Sequence, residues 1–442
     1  MNRLDGEETQ ARLQSYLEKI GRELSNRPQS KNFSIYVAGL LSRLEKKNGE
    51  TIAAAASTAE GAPSDTDTIH QNVHHVIGGA TWDDEKLRAA AERYALHSLS
   101  ENERIEHLII DDTGFLKQGN GSAGVQRQYT GSAGKVTNCQ IGVSLVAATA
   151  SRQIAIDFAL YLPKTWLTEA KRKQGKIPDD VEFRTKPELA LGLLKNIRNR
   201  GLVPHCRVLA DTAYGNSSAF RDAVIECGYD FAVGVRGDTL GWSVDQRGSK
   251  RGPRTNLEGL AAREKHKNVR WREGTKGKLT GQFAAKRVSV YRDSADNGHE
   301  DPVWLLSERD PNTKNKKYAL ITAPANAALK TLVRIWKERF RTERVYQDLK
   351  ENCGLDHYQG RSYAGWNHHV TAVLVATAFL FAEQCRKERP QGKQEAIRSA
   401  LRLDRHFPDS LATLQRILSR FLYKWLPNPA QALRIEQKLH PI

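Results

Sequence analysis

Residues 205–237 read HCRVLADTAYGNSSAFRDAVIECGYDFAVGVRG, and two different periods within this stretch decide the fold. The apolar run ending at Asp211 predicts a buried strand, closed by the turn-forming residues around Gly215 and Asn216. From Ser217 to Gly228 the apolar residues recur at helical spacing, and Tyr229 to Gly237 returns to a strand. Strand, helix and strand in succession predict an α/β core.

Working outward, Ile105 to Asp112 (IEHLIIDD) reads as a short buried strand ending in two acids. Asn138 to Thr149 and Arg152 to Pro163 are β-rich runs suited to an antiparallel meander, and Pro187 to Ile197 is amphipathic and helical. Downstream, residues 237–320 are rich in Gly, Lys and Arg, with strands predicted at VSVYR, VWLLSE and YALITA. An inserted, mainly β subdomain accounts for them. Trp336 to Lys350 (WKERFRTERVYQDLK) and His369 to Gln384 are predicted helices that return to the core. Upstream, Leu13, Tyr16, Leu17 and Ile20 recur at helical spacing, residues 51–66 predict a loop, and Thr81 is placed to cap a helix opening on Asp83, Asp84 and Glu85. The predicted domains are a helical N-terminal region (1–100), a core in two parts (101–236 and 323–386), the β-rich insertion (237–322) and a basic helical tail (387–442).

The chain has 442 residues, enough for two or three domains, and 39% hydrophobic content supplies sizeable cores. Its longest apolar run, Val370 to Ala382, is too short to span a bilayer. The polar N-terminal stretch lacks a signal-peptide core, so a cytoplasmic protein with no membrane partner is expected. Five scattered cysteines predict reduced thiols without a zinc site. Lys plus Arg total 68 against 51 Asp plus Glu, a net charge of +17. Such an excess favours a polyanion, because neutralising phosphates releases condensed counterions.

Acids at strand ends are where an α/β protein projects groups into a crevice. Asp111 or Asp112, and Asp211, satisfy that rule. Clustered carboxylates are favourable chiefly when divalent cations oppose their charge, and oxygen-only ligands select Mg²⁺, with Mn²⁺ as substitute. At about 100° per residue, Trp336, Arg339, Glu343 and Lys350 fall within a narrow arc of one helix. Glu343 is then set between two cations that meet phosphate oxygens. A solvated helix face with weak ion pairs is the plainer reading of that row alone. Three acids in compatible order weigh against it, and point to two-metal phosphodiester chemistry.

The chain resembles bacterial insertion-sequence transposases of the DDE class with the Tyr-Arg-Glu-Lys signature, in particular those like insertion-sequence family 701. The resemblance rests on IIDDTGFLKQG, QYTGSAGKVTNCQIGVS, YLPKTW with FRTKPELA, VLADTAYGN and WKERFRTERVYQDLKENCGLDHYQGRS, and covers most of residues 30–385. Arg339, Glu343 and Lys350 match the signature spacing, with Trp336 where the family has Tyr. The resemblance implies an RNase H-like core with an inserted β subdomain before the final helix. It implies a first acid within IIDDT, with Asp112 favoured over Asp111 by the Asp-Thr pattern, then Asp211 and Glu343. Lys117 and Lys135 are candidate phosphate contacts near the first acid, and Trp271 is a candidate for stacking a base. Tyr214 and Gly215 predict either a turn that admits substrate or a purely structural tight turn.

The expected activity is a metal-dependent transposase that binds terminal inverted repeats of double-stranded DNA, cuts at the element ends and joins the 3′-hydroxyls to target DNA. A homodimer on paired ends would suit it. The alternatives are a related nuclease without strand transfer and a noncatalytic DNA-binding repressor.

Overall fold

The computed structural model describes residues 6–57, 63–99, 103–245, 247–274, 277–291, 301–310, 316–387 and 411–427. It is a mixed α/β protein built on one large mixed sheet. The strands are β1 His107–Leu116, β2 Gln126–Thr130, β3 Lys135–Ala148, β4 Gln153–Tyr161, β5 Arg207–Ala210, β6 Asp230–Val235, β7 Leu240–Val244, β8 Lys250–Asn256, β9 Lys267–Gly274, β10 Gly277–Val290, β11 Val303–Arg309 and β12 Lys316–Ile321.

Strand β3 pairs antiparallel with β1 on one side and with β4 on the other, giving the expected meander. Strands β5 and β6 then follow parallel to β1. The first strand does not stop at its acids. It runs on to Leu116, because β3 pairs with it from His107↔Ala148 to Leu116↔Cys139. Its pairing with β5, however, ends at Ile109↔Leu209. The acids therefore lie where one neighbour strand ends and the other continues.

The β-rich segment is continuous with this sheet. Strand β12 lies antiparallel to β6, with Tyr318 opposite Val235 and Ile321 opposite Ala232, so twelve strands form one sheet. Apolar residues on both sides of that seam, including Leu320 and Val233, are fully buried.

Helices α1 Gly6–Gly21, α2 Arg27–Leu41, α3 Gly49–Ala56, α4 Pro63–Gly78 and α5 Asp84–Leu96 form the N-terminal region. Of the segment 51–66 that predicts a loop, residues 51–56 and 63–66 are helical, and 58–62 lie outside the described residues. Alanine has the highest intrinsic helix propensity, Asn48 caps by accepting from the Thr51 N–H, and Thr51 to Ala56 are all buried. The cap of α5 is Asp83, which accepts from the Lys86 N–H at 3.2 Å, in place of Thr81. Next come α6 Glu169–Gly175, α7 Lys186–Arg200, α8 Thr212–Gly215, α9 Ser218–Glu226 and α10 Leu257–Ala262.

The predicted single helix over 336–350 is divided into α11 Leu329–Lys337, a 3₁₀ turn Glu338–Phe340 and α12 Arg341–Cys353. A 3₁₀ turn advances three residues per turn, so the arc computed for a continuous helix does not carry across it. Helices α13 Tyr363–Lys387 and α14 Leu411–Leu418 complete the fold. Of the predicted basic tail, residues 388–410 and 428–442 lie outside the described residues.

Val370 to Ala382 of α13 are buried throughout, packed by the N-terminal helices and β4. Tyr16 donates to the Val375 carbonyl at 2.9 Å, Arg12 pairs with Glu383 at 2.8 Å, and Trp82 stacks on His368 with centroids 3.8 Å apart. The N-terminal helices thus share α13 as core. Among the described residues no helix is long and apolar enough to cross a membrane.

Candidate active site

Asp111 and Asp211 each stand two residues beyond the register pair Ile109↔Leu209, Asp111 within β1 and Asp211 just past the end of β5. Side chains two residues on from a register pair share its sheet face. Their charges interact, and Asp211 raises the Asp111 carboxyl. Burial is the larger cause: it pushes Asp111 up to about 6, against a Thr342 hydrogen bond, the Arg339 charge and the Asp112 N–H, all of which favour the anion. Asp211 ends its strand as the cap of the short α8, its Oδ1 accepting from the Ala213 N–H at 2.8 Å.

Helix α12 begins over this pair. Thr342 donates to Asp111 Oδ2 at 2.8 Å, and one turn later Tyr346 shares a 2.6 Å hydrogen bond with Ser144, the residue opposite Asp111 on β3. Arg341 anchors the helix start through the carbonyls of Thr149 and Ala150, at 2.5 and 2.9 Å. Glu343 follows Thr342 directly and is exposed in the first turn. Among the described residues, no three His, Cys, Asp or Glu side chains converge closely enough to hold a metal ion.

Asp112 points to the other face of β1, as alternation requires. Its Oδ2 accepts from Lys186 Nζ at 2.9 Å and from the Tyr214 hydroxyl at 3.4 Å. The favoured first acid is thus engaged by a lysine of α7, and Asp111 is the one that faces Asp211. Tyr214 is fully buried, so of the two alternatives the structure shows the structural tight turn. Gly215 is required there: a Cβ would lie 2.3 Å from the Gly234 carbonyl oxygen.

A family model described as DDE superfamily endonuclease matches residues 20–295. The chain belongs to the DDE superfamily of endonucleases. The match includes Asp111 and Asp211 and ends before Glu343. The chain is also 32% identical over 167 residues to the "Probable transposase for insertion sequence element IS701" of Microchaete diplosiphon. That alignment spans 38% of this chain and 40% of the relative, so the chain covers two-fifths of the relative's length. Among solved structures, the cryo-EM piggyBac transposase synaptic complex with hairpin DNA has a TM-score of 0.41 and 10% identity, covering 96% of this chain and 80% of that one.

The other predicted residues of this DDE endonuclease are distributed around the pair. Arg339 lies in the 3₁₀ turn with its guanidinium 4.9 Å from the Trp336 ring centre. Its Nε is buried without a hydrogen-bond partner among the described residues. Trp336 is only 7% exposed, so its ring packs in the core beneath Arg339 and offers no open stacking face. Lys350 Nζ donates to the Gly114 carbonyl at 2.9 Å and to Ser132 Oγ at 3.1 Å. Lys117 is half-buried and donates to the Tyr358 carbonyl at 2.5 Å, while Lys135 is exposed at the start of β3. Trp271 sits on β9, edge-on to Phe283, with Lys337 Nζ 4.7 Å over its ring.

Sequence reasoning missed Thr342, Tyr346, Ser144, Arg341 and Lys186. Thr342 and Tyr346 are spaced i, i+4, which puts both on the buried face of α12 beside Asp111. A hydroxyl pair at that spacing beside Glu343 was the available signal.

Proposed function

We propose that this DDE endonuclease is a DNA transposase that binds the terminal inverted repeats of its element, cleaves at the ends and joins the 3′-hydroxyls to target DNA. The observation that carries the reading is the pairing of Asp111 on β1 with Asp211 just past the end of the parallel β5, under the helix start that bears Glu343. The strand order β4-β3-β1-β5-β6, antiparallel through β1 and parallel thereafter, supports an RNase H-like core.

The donor set fits a hard divalent cation. Asp111 and Asp211 offer oxygen only, and the half-buried Asp111 carboxyl beside a second acid is favoured as an anion when positive charge lies between them. These two residues would hold Mg²⁺, or Mn²⁺ in its place, and Glu343, which does not converge with them in this structure, would join as the third ligand by closing in from the start of α12. When bound, such a cation lowers the pKa of a coordinated water or 3′-hydroxyl and neutralises charge on the departing oxygen.

The chain's own groups do the rest. Asp112 serves as partner to Lys186 on the other face of β1, not as the first ligand. Arg339, supported on Trp336, is the cation whose charge acts on Asp111, and it suits a phosphate oxygen. The +17 charge supplies sequence-independent affinity for DNA, with the N-terminal helices (1–100), the β-rich segment (237–322) and the basic tail (387–442) sharing the contacts around the core of 101–236 and 323–386. Cutting two ends together suits a homodimer.

Excision from a supercoiled plasmid with Mg²⁺ or Mn²⁺ tests this reading. Excision and joining are expected for the parent and lost in Asp211→Ala and Glu343→Ala; unchanged activity in either variant removes the assigned mechanism. Cleavage of ends without joining of precut ends would leave a nuclease in its place. Sequence-specific binding without cleavage would leave a repressor.

A further inference from the structure

We infer that Thr342 is a positioning residue of this site: its hydroxyl fixes the orientation of the Asp111 carboxylate and ties it to the start of the helix that carries Glu343. The inference rests on the metal-site reading above. Asp111 Oδ1 accepts from the Asp112 N–H at 2.9 Å, and Oδ2 accepts from Thr342 Oγ1 at 2.8 Å. Each carboxylate oxygen has two acceptor sites, so one donor apiece fixes the plane of the group and leaves an acceptor site on each oxygen for a cation.

The Thr342 side is rigid. Thr342 is 1% exposed, and its neighbour Arg341 binds two carbonyls of the β3–β4 turn. The hydroxyl carries one proton and has two acceptors in reach, Asp111 Oδ2 at 2.8 Å and the Arg339 carbonyl at 3.1 Å. The carboxylate is the shorter contact and, when ionised, the stronger acceptor. Tyr346, the other α12 hydroxyl on this face, is engaged by Ser144 at 2.6 Å. Thr342 thus supplies the only side-chain hydrogen bond to the Asp111 carboxylate among the described residues. Removing it frees the group to rotate and breaks the link that moves Asp111 and Glu343 together.

The test is Mn²⁺ binding to the full-length protein without DNA, followed by the electron paramagnetic resonance signal of free Mn²⁺. Thr342→Val is expected to weaken binding about 10–100-fold, the range for a partner one step removed from a metal, and Thr342→Ser to stay within about threefold of the parent. Thr377→Val, which removes a buried hydroxyl of α13 that donates to the carbonyls of Val373 and Leu374, is expected to bind as the parent does. The Mn²⁺ concentration for half-maximal end cleavage should follow the same order, with DNA affinity in the absence of metal unchanged. Should Thr342→Val not melt cooperatively, Thr342→Ala is read in its place. Parent-like Mn²⁺ binding in the hydroxyl-free variant, while Asp211→Ala loses it, overturns the role of Thr342 and leaves the metal site standing. Equal losses in Thr377→Val and Thr342→Val overturn it as well, by assigning the effect to the loss of a buried hydroxyl in general. Equal Mn²⁺ binding in the parent and Asp211→Ala removes the metal-site reading itself.

Discussion

Lys350 donates a hydrogen bond to the carbonyl of Gly114, 2.9 Å away and three residues along β1 from Asp111. The last cation of the predicted DNA-facing row is therefore a strut between α12 and the strand that carries the first acid. A second bond, to Ser132 at 3.1 Å, extends the strut to the β2–β3 turn.

Lys350→Met should lower stability by about 1–2 kcal/mol, the net worth of the hydrogen bonds it removes. It should leave the salt dependence of DNA binding unchanged. The measurement is the slope of log K against log salt concentration. A slope shallower by about 0.9 would instead count one lost phosphate contact.

The two adjacent acids should separate sharply. Asp111 shares a face with Asp211, whereas Asp112 holds Lys186 on the other side of β1. Cleavage of end DNA should fall more than about 100-fold in Asp111→Asn and less than that in Asp112→Asn, since about 100-fold is the upper range for losing a group one step removed from the metal. Reversal of that order would restore Asp112 as the ligand.

The half-buried Asp111 carboxyl gives a signed dependence on pH. It is held up to about 6 against an ordinary value of 3.8. Below both values the group is protonated whether folded or not; between them the unfolded chain releases its proton first, so stability falls as pH rises through this window. Above it, the metal-free fold carries a cost on the order of 2–3 kcal/mol. Asp111→Asn should then melt higher than the parent, by a margin that opens between pH 4 and 6 and stays constant above. Mn²⁺ should raise the melting temperature of the parent and not of the variant.

How far the sequence could be read depended on the range of the forces involved. Strand and helix periods are local, and they marked β1, β3 to β6, β10 to β12, α7 and α9. The side on which a carboxylate lies is not local. Choosing Asp111 over Asp112 needs the register of β1 against β5, which is set by pairing across a hundred residues. The single helix over 336–350 failed for a related reason: Arg341 reaches the β3–β4 turn and Trp336 enters the core, and meeting both fits a 3₁₀ turn between them. Residues 51–56 read as a linker because small residues lack a face, yet Ile52 packs against Gly39 where no larger side chain fits.

Gly215→Ala should disable the site without touching an acid. The added Cβ would meet the Gly234 carbonyl oxygen at 2.3 Å and Val233 Cβ at 2.5 Å, both on β6. Helix α8 must then move outward, taking with it the Asp211 cap and the Tyr214 hydroxyl that reaches Asp112. Overpacking of this kind costs about 1–3 kcal/mol. Reduced Mn²⁺ binding with a lower denaturation midpoint is the expected pair of results; parent-like binding would mean that α8 is not what sets Asp211.

Asp157 tests whether the N-terminal helices and the catalytic core unfold together. It is fully buried on β4, where Oδ1 accepts from Arg88 at 2.9 Å and from the Phe158 N–H at 2.8 Å, and Oδ2 accepts from Arg200 at 3.3 Å. Arg88 belongs to α5 and also donates to Thr371 of α13, while Arg200 ends α7 and pairs with Glu92 of α5. One carboxylate therefore joins a strand of the sheet to helices from both sides of the chain. In Asp157→Ala both guanidinium groups stay buried with fewer anions, a change that costs about 3–5 kcal/mol when one partner of a buried pair is removed. Because α13 is core to both regions, the expected result is one transition with a lower midpoint and an unchanged m value, coincident by circular dichroism and tryptophan fluorescence. Two separated transitions would instead assign residues 6–99 a stability of their own, with the network serving as a contact between independent domains.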